Sequence, residues 1–559
     1  LLAILVIFEI LYFCTGAILF IYRPSRRVSE AIALGILLSL MLFSVIFQAG
    51  FLLGIPHLAF FIEAFLAYAI ARLIINRYKN LQEIIAKIRH FISNHKIVAF
   101  TVLSCWIYLF LLAIIIPPAN WDSMTYNLAR VWLFQQENSL FITDFTTPRQ
   151  SFFVVGSDIL AHAFLRFNTD YGVGLFSFLA YVSAGLGTYA LSRNFFSTQI
   201  SLAATLVIIS LPEFCFQATS TKNDILAAAA TVFCLVTAYR LLEKLNFANI
   251  VLLLLGILFG FSAKTTFVGI LGPFTIIFGY LIIRKHGLIR IIKTLGQKPL
   301  YLLALLVPIL IMSQVWLFTH NATQFNDVTG GSTIKIATRK TFAPIFFLAN
   351  LTRYSFQSIH LFPLDQITES WIDYEAIYGN LEKTYNTVFL PIFQNTGLAY
   401  KDGIPMNFAL KPVLHEDFSW YGIGGMFIVI PSIIFSVFSK NSFIKATSLT
   451  LLSFIIIFCA RIVWTPWNNR YLSLVFVASG ICVAYFLQFI GQRINPNLPK
   501  AILLISLCIL IFSCTLNREK ALWRASVKYT LEPNIWLKTN FGQDRLFYAQ
   551  KYYQDNRLQ

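Results

Sequence analysis

The sequence predicts an all-α protein that crosses a membrane many times. Of its 559 residues, 57% are hydrophobic and only 12% are charged, a balance that a soluble fold does not show. Apolar runs of spanning length, about 17–25 residues, recur along the chain. The basic residues gather in short loops between alternate runs, as they do in cytoplasmic loops. Fifty-five Phe suit lipid-facing surfaces, and 24 Tyr and 10 Trp suit interfacial belts.

Taken in order, the runs fall at 1–22, 31–52, 55–75, 97–116, 171–191, 198–213, 224–242, 249–263, 265–283, 300–318, 422–438, 446–464, 471–490 and 500–516, giving about 12–14 spans. The stretch 249–283 reads equally as one kinked helix, two short ones or a re-entrant pair. The basic loops carry Arg23, Arg26 and Arg27, then Arg72 to Lys96, then Arg284 to Lys298, then Arg493 and Lys500. Placing these in the cytoplasm puts every remaining loop outside. The chain then divides into helices at 1–116, a first large outer loop at 117–170, helices at 171–318, a second outer loop at 319–421, helices at 422–516 and a polar outer tail at 517–559. The piece at 341–363 carries Arg353, His360 and Pro363 and is expected to lie in the interface.

The net charge of +18 would suggest nucleic acid in a soluble protein. Here it belongs to the loops, so no nucleic-acid partner is expected. None of the eight cysteines has metal-binding spacing, so neither a zinc site nor a disulfide framework is indicated. The chain begins at Leu1, inside an apolar run, and shows no basic segment or cleavage site of a signal peptide.

The most informative stretch is 117–160. Pro117 and Pro118 end a spanning run, and Asp122 follows at the membrane–water boundary. At about 100° per residue, Asp122, Tyr126, Arg130 and Glu137 share one side of a helix. Trp121, Met124, Leu128, Val131 and Trp132 share the other. That pattern predicts an interfacial helix with its apolar side in lipid and its charged side facing a cavity. A bland alternative is a surface connector with solvated charges. Arg149 and Asp158 follow in the same loop, and His415, Glu416 and Asp417 form an acidic patch in the second.

Charges near membrane depth cost about 2.5–3.5 kcal/mol each, so each needs a reason. Asp224 opens the seventh run, Lys264 interrupts an otherwise uncharged stretch, and Arg470 opens the thirteenth run. All three stand at the predicted outer ends of their spans, where Asp122 also stands. Snorkelling explains any one of them; their convergence on one membrane face points to a site. Lys264 and Arg470 suit a phosphate or diphosphate, and a carboxylate suits proton acceptance from an attacking hydroxyl or amine. Glycosyl transfer from a polyprenyl-phosphate sugar needs those parts.

At these residues the sequence resembles the GT-C superfamily of membrane glycosyltransferases, family 39 type, which includes protein O-mannosyltransferases and lipid A aminoarabinose transferases. NWDSMTYN carries the acid of the first outer loop, Asp122. STKNDILAAAATVFCLVTAYRLL carries an acid near the start of a span, Asp224. GILFGFSAK is a small-residue helix ending in Lys264, and NNRYLSLVF holds the late Arg470-Tyr471 pair. The resemblance implies a catalytic Asp122 and a polyprenyl-phosphate donor. Where relatives have a His-Pro-Pro type segment, this chain has TTPRQSFF, so Arg149 is expected to contact phosphate or substrate there. Tyr126, Arg130, Asp158, Asp224, Lys264, His415, Glu416, Arg470 and Tyr471 complete the expected substrate site.

The expected activity is transfer of a sugar from a polyprenyl-phosphate donor to a lipid, glycan or protein acceptor. It is placed on the outer, periplasmic face of a bacterial cytoplasmic membrane. No cofactor or metal is required by these residues, although Asp122 with Asp158 or Glu416 can bind one. The competing readings are a flippase or transporter of lipid-linked saccharides, whose buried charges would line a path, and a polymerase or ligase of such saccharides.

Overall fold

The computed structural model describes residues 1–116, 118, 120–328, 343–401, 404–410, 414–517, 523–525 and 531–533. Pro117, the segment 329–342 of the second loop and most of the tail expected at 517–559 lie outside the described residues. Strands among the described residues are confined to two short antiparallel pairs, Tyr400–Lys401 with Ile404–Pro405 and Trp523–Ala525 with Leu531–Pro533. Everything else of length is helix.

Nine of the described helices are long and apolar enough to cross a membrane, and two bent pairs raise this to eleven. The shorter apolar helices Thr198–Ile209, Phe247–Ala263 and Gly422–Ser436 occupy the remaining predicted runs. At the centre lie Val28–Leu52, Leu175–Ser192 and Asp224–Glu243, each buried over most of its length. The run Ala227–Ala230 explains why the last can be surrounded: methyl side chains let neighbours approach from all sides.

The ambiguous stretch 249–283 forms two helices, Phe247–Ala263 and Val268–His286, broken at Lys264. The backbone of Lys264 is extended, with φ −155° and ψ 131°. Gly256 earns its place by close packing, since a Cβ there would come within 2.6 Å of the Phe233 ring on Asp224–Glu243. Gly260 makes room instead for the ring of Phe267 in the following turn. The run predicted at 300–318 also breaks. Pro299–Met312 ends before Gln314, whose left-handed backbone starts the separate helix Val315–Phe325.

Two ends of the bundle differ in chemistry. At one, Arg240 pairs with Glu30, Arg26 donates to Asn249 at 3.0 Å, Arg27 donates to the Arg193 carbonyl at 2.8 Å, and Arg77 donates to the Leu19 carbonyl at 2.8 Å. Asp224 opens the helix that Arg240 nearly closes, so Asp224 stands about 24 Å away at 1.5 Å per residue. The basic loops after residues 22 and 243 thus share one end, and Asp224 marks the other.

The first large loop is pinned to that second end. Gly156 N–H donates to the Ser262 carbonyl at 2.8 Å, Ser157 Oγ to the Ala263 carbonyl at 2.9 Å, and Ser44 Oγ to the Gly156 carbonyl at 2.7 Å. Gln314 Oε1 accepts the Val155 N–H at 3.0 Å. The expected interfacial piece of the second loop is the helix Pro344–Gln357. Its Asn350 donates to the carbonyls of Cys459 and Ile462, at 3.0 and 2.8 Å, where the helix Ser442–Arg461 ends.

Candidate active site

Asp122 is positioned by the turn before it. Asn120 Oδ1 accepts the Ser123 N–H at 2.8 Å, a side-chain cap that starts the helix at the loop's edge. Ser123–Asn127 is then wound as a π-helix before the α-helix Leu128–Glu137. The wider turn defeats the 100° wheel drawn from sequence. Trp121 and Trp132 do face outward, but Leu128 and Val131 are buried and Glu137 is exposed away from the site.

The structure gives Arg130 and Asp158 other roles than those expected. Arg130 does not orient Asp122. It lies fully buried, 2.5 Å from Asp158, and donates to the carbonyls of Phe153, at 2.9 Å, and Val154. Asp158 also accepts from Ser157 at 3.0 Å. These two residues lock the first loop onto the bundle. They are not gathered with the charges around Asp122, and Asp158 is not free to share a metal with Asp122.

The other charges do converge. Arg470 Nη1 lies 2.6 Å from Asp122 Oδ2 and 2.8 Å from Asp417 Oδ1, and its Nε lies 3.9 Å from Asp224 Oδ2. Arg149, on the short helix Pro148–Phe152, reaches Asp122 at 3.5 Å and lies over the Tyr126 ring at 5.6 Å. Lys264 lies 2.5 Å from Asp224 and donates to Asn223 at 3.0 Å. Its ammonium also sits 4.6 Å from the centre of the Tyr471 ring. Glu416 is buried and accepts from Asn120 and, at 3.3 Å, from Ser220. The Asp417 N–H donates to His415 Nδ1 at 3.0 Å.

Lys222, Asp417 and Asn120 were missed from sequence. Lys222 Nζ contacts Asp417 Oδ1 and lies 3.9 Å from Asp122 Oδ2. The signal was present in STKNDILAAAA. A cation just before a helix N-terminus opposes the helix dipole and needs a reason to be there. Asp417 was visible only as part of an acidic patch.

Electrostatics follow from this crowding. Burial alone would push the Asp122 carboxyl up, but Arg470, Lys222, Arg149 and Lys264 together outweigh it and hold it below the usual carboxylate range. Burial, then repulsion from Arg470, push the Lys222 ammonium down to about 8 against the pull of Asp122, Glu416 and Asp224. Among the described residues, no three His, Cys, Asp or Glu side chains are gathered so as to hold a metal ion. Four cations, Arg149, Lys222, Lys264 and Arg470, are gathered here with four carboxylates, Asp122, Asp224, Glu416 and Asp417.

Residues 159–318 match the family model for dolichyl-phosphate-mannose-protein mannosyltransferases. The matched part holds Asp224 and Lys264 but not Asp122, Asp417 or Arg470. The match supports the resemblance to GT-C membrane glycosyltransferases. No curated protein matches the chain. Among solved structures, it is similar to ArnT from Cupriavidus metallidurans bound to undecaprenyl phosphate, with 12% identity over 76% of this chain and a TM-score of 0.44. The same enzyme in the apo state gives 12% identity over 76% and a TM-score of 0.45. The chain spans 64% and 65% of those two structures.

Proposed function

We propose that the chain is an integral-membrane glycosyltransferase. It moves a sugar from a polyprenyl-phosphate donor to a lipid, glycan or protein acceptor, on the outer face of the membrane. The observation that carries this reading is the position of Asp122, a buried carboxylate ringed by Arg470, Lys222 and Arg149 at the end of the bundle opposite the basic loops.

In this reading the acceptor oxygen or nitrogen attacks the anomeric carbon and the bond to the phosphate oxygen breaks. The acceptor's proton passes to Asp122, and polyprenyl phosphate departs with the bonding pair. Fixed cations in a dry site stabilise the charge growing on that phosphate. The cations also tune the base. While they hold Asp122 its carboxylate is a weak proton acceptor; a phosphate that draws them away leaves burial to raise its basicity.

The test is turnover by purified protein supplied with a panel of polyprenyl-phosphate sugars and acceptors. Transfer with at least one donor supports the reading. Movement of lipid-linked sugar across vesicles without any transfer would replace it with a transporter.

A further inference from the structure

One carboxylate from the second outer loop occupies the strongest anion position in the site. Asp417 Oδ1 touches both Lys222 Nζ and Arg470 Nη1, at 2.8 Å for the latter. Asp122 Oδ2 faces the same two nitrogens, at 3.9 and 2.6 Å. Two cations and two carboxylates therefore alternate around a ring. Lys264 is not part of it, being held by Asp224 and Asn223.

The four members are not equivalent. Lys222 is buried, Arg470 and Asp122 are almost so, and Asp417 is the most open, with its side chain 14% exposed. Its backbone is a tight turn, with the Phe418 and Ser419 N–H groups both donating to the His415 carbonyl. Neighbouring residues anchor that turn: Glu416 accepts from Asn120 and Ser220, and the Ser419 carbonyl accepts from Asn469. The Asp417 side chain can leave the ring by rotating about its own bonds while the turn stays in place. Arg470 Nε is buried with no hydrogen-bond partner among the described residues, so the clamp has donor capacity beyond what one carboxylate uses.

We propose that Lys222 and Arg470 are the clamp for the phosphate of the lipid-linked donor, and that Asp417 is an internal counter-ion which this phosphate displaces. The inference rests on the glycosyltransferase reading and gives it a residue that the sequence did not single out. The exchange balances in charge. A sugar phosphodiester carries one negative charge, as the Asp417 carboxylate does, so one anion replaces another between the same cations. After transfer the departing phosphate is a monoester with greater charge, about −1.5 to −2 at neutral pH. Return of Asp417 to the clamp then competes with product and speeds its release.

The experiment titrates undecaprenyl phosphate into the purified full chain in detergent, for the wild type, Asp417→Asn, Asp417→Ala and Lys222→Met. Both Asp417 variants should bind at least about tenfold tighter, about 1.4 kcal/mol. Lys222→Met should bind at least about tenfold weaker by the same scale. Inorganic phosphate titrated alone should also bind Asp417→Asn more tightly than wild type. During turnover, Asp417→Asn should show a burst followed by slower steady release. Equal or weaker lipid binding by both Asp417 variants overturns the proposal, as does equal affinity for inorganic phosphate alone in Asp417→Asn and wild type. If wild type and all variants fail to bind, the glycosyltransferase reading itself falls and this inference with it.

Discussion

Arg470 reaches Asp122 across the end of the bundle, Nη1 to Oδ2 at 2.6 Å, while its Nε faces Asp224 at 3.9 Å. One guanidinium thus ties the first large loop to the start of a central helix. Its planar fork addresses several oxygens at once, which an ammonium cannot do. Arg470→Lys keeps the charge and loses the fork. Donor affinity should fall by about tenfold or more, about 1.4 kcal/mol, with a larger loss in transfer rate. Affinity equal to wild type, measured by titration with undecaprenyl phosphate, would leave Arg470 a structural tie between these elements.

Arg130 and Asp158 make the opposite prediction. Their pair is buried and hydrogen-bonded within the first loop. Removing one partner leaves a charge uncompensated, at about 3–5 kcal/mol. Asp158→Asn should lower the unfolding temperature sharply while transfer per folded molecule stays near wild type. An unchanged unfolding temperature with lost transfer would restore Asp158 to the chemistry.

These two outcomes show where the sequence was legible. Each apolar run became helix because burial of backbone polar groups in lipid leaves few alternatives. Asp122, Asp224, Lys264 and Arg470 were readable because ionised groups near membrane depth are costly and therefore informative. Arg130 was misread because sharing a helix side with Asp122 does not bring it near: it stands about 12 Å further along the axis, where it meets Asp158. Asp417 was indistinct because a loop acid is ordinary until the fold brings Lys222 against it.

Sidedness can be read by labelling. Single cysteines at positions 285–298 should react only from the cytoplasm, together with others near Arg26, whose end of the bundle also holds Arg240 and Glu30. Cysteines replacing the exposed Glu137 or Tyr400 should react only from outside. Labelling of both sets from one side would contradict the placement of the site.

Lys222 should impose a pH limit on donor binding. Its ammonium is pushed down to about 8, among Asp122, Asp417, Glu416, Asp224 and Arg470. Above that pH the folded protein has lost a proton that the unfolded chain keeps up to about 10.4. Folding stability attributable to Lys222 therefore rises between these values, while phosphate binding, which needs the cation, weakens. Undecaprenyl phosphate affinity should drop as pH passes about 8 and should hold to higher pH in Lys222→Arg. Identical profiles for both proteins would remove Lys222 from the clamp.

Asp122 carries the last prediction. In the free protein the surrounding cations hold its carboxyl below the usual range despite burial. Its contribution to stability is therefore complete above the ordinary carboxylate value of about 3.9 and is lost only as pH falls through the lower folded value. Acid conditions near pH 5 should leave it ionised, so kcat/KM should show no acidic limb from Asp122 there. Once donor phosphate draws Lys222 and Arg470 away, burial raises the same carboxyl, and the acidic limb of kcat should lie at higher pH than that of kcat/KM. Asp122→Asn keeps the shape and removes the base. Single-turnover transfer should fall by about 10²–10⁴-fold, the usual worth of a general base, with donor binding no weaker than wild type. Asp122→Glu should recover only part of the rate, because an added methylene displaces the accepting oxygen from the acceptor. Full single-turnover activity in Asp122→Asn would move the base to another carboxylate, with Glu416 the next to test.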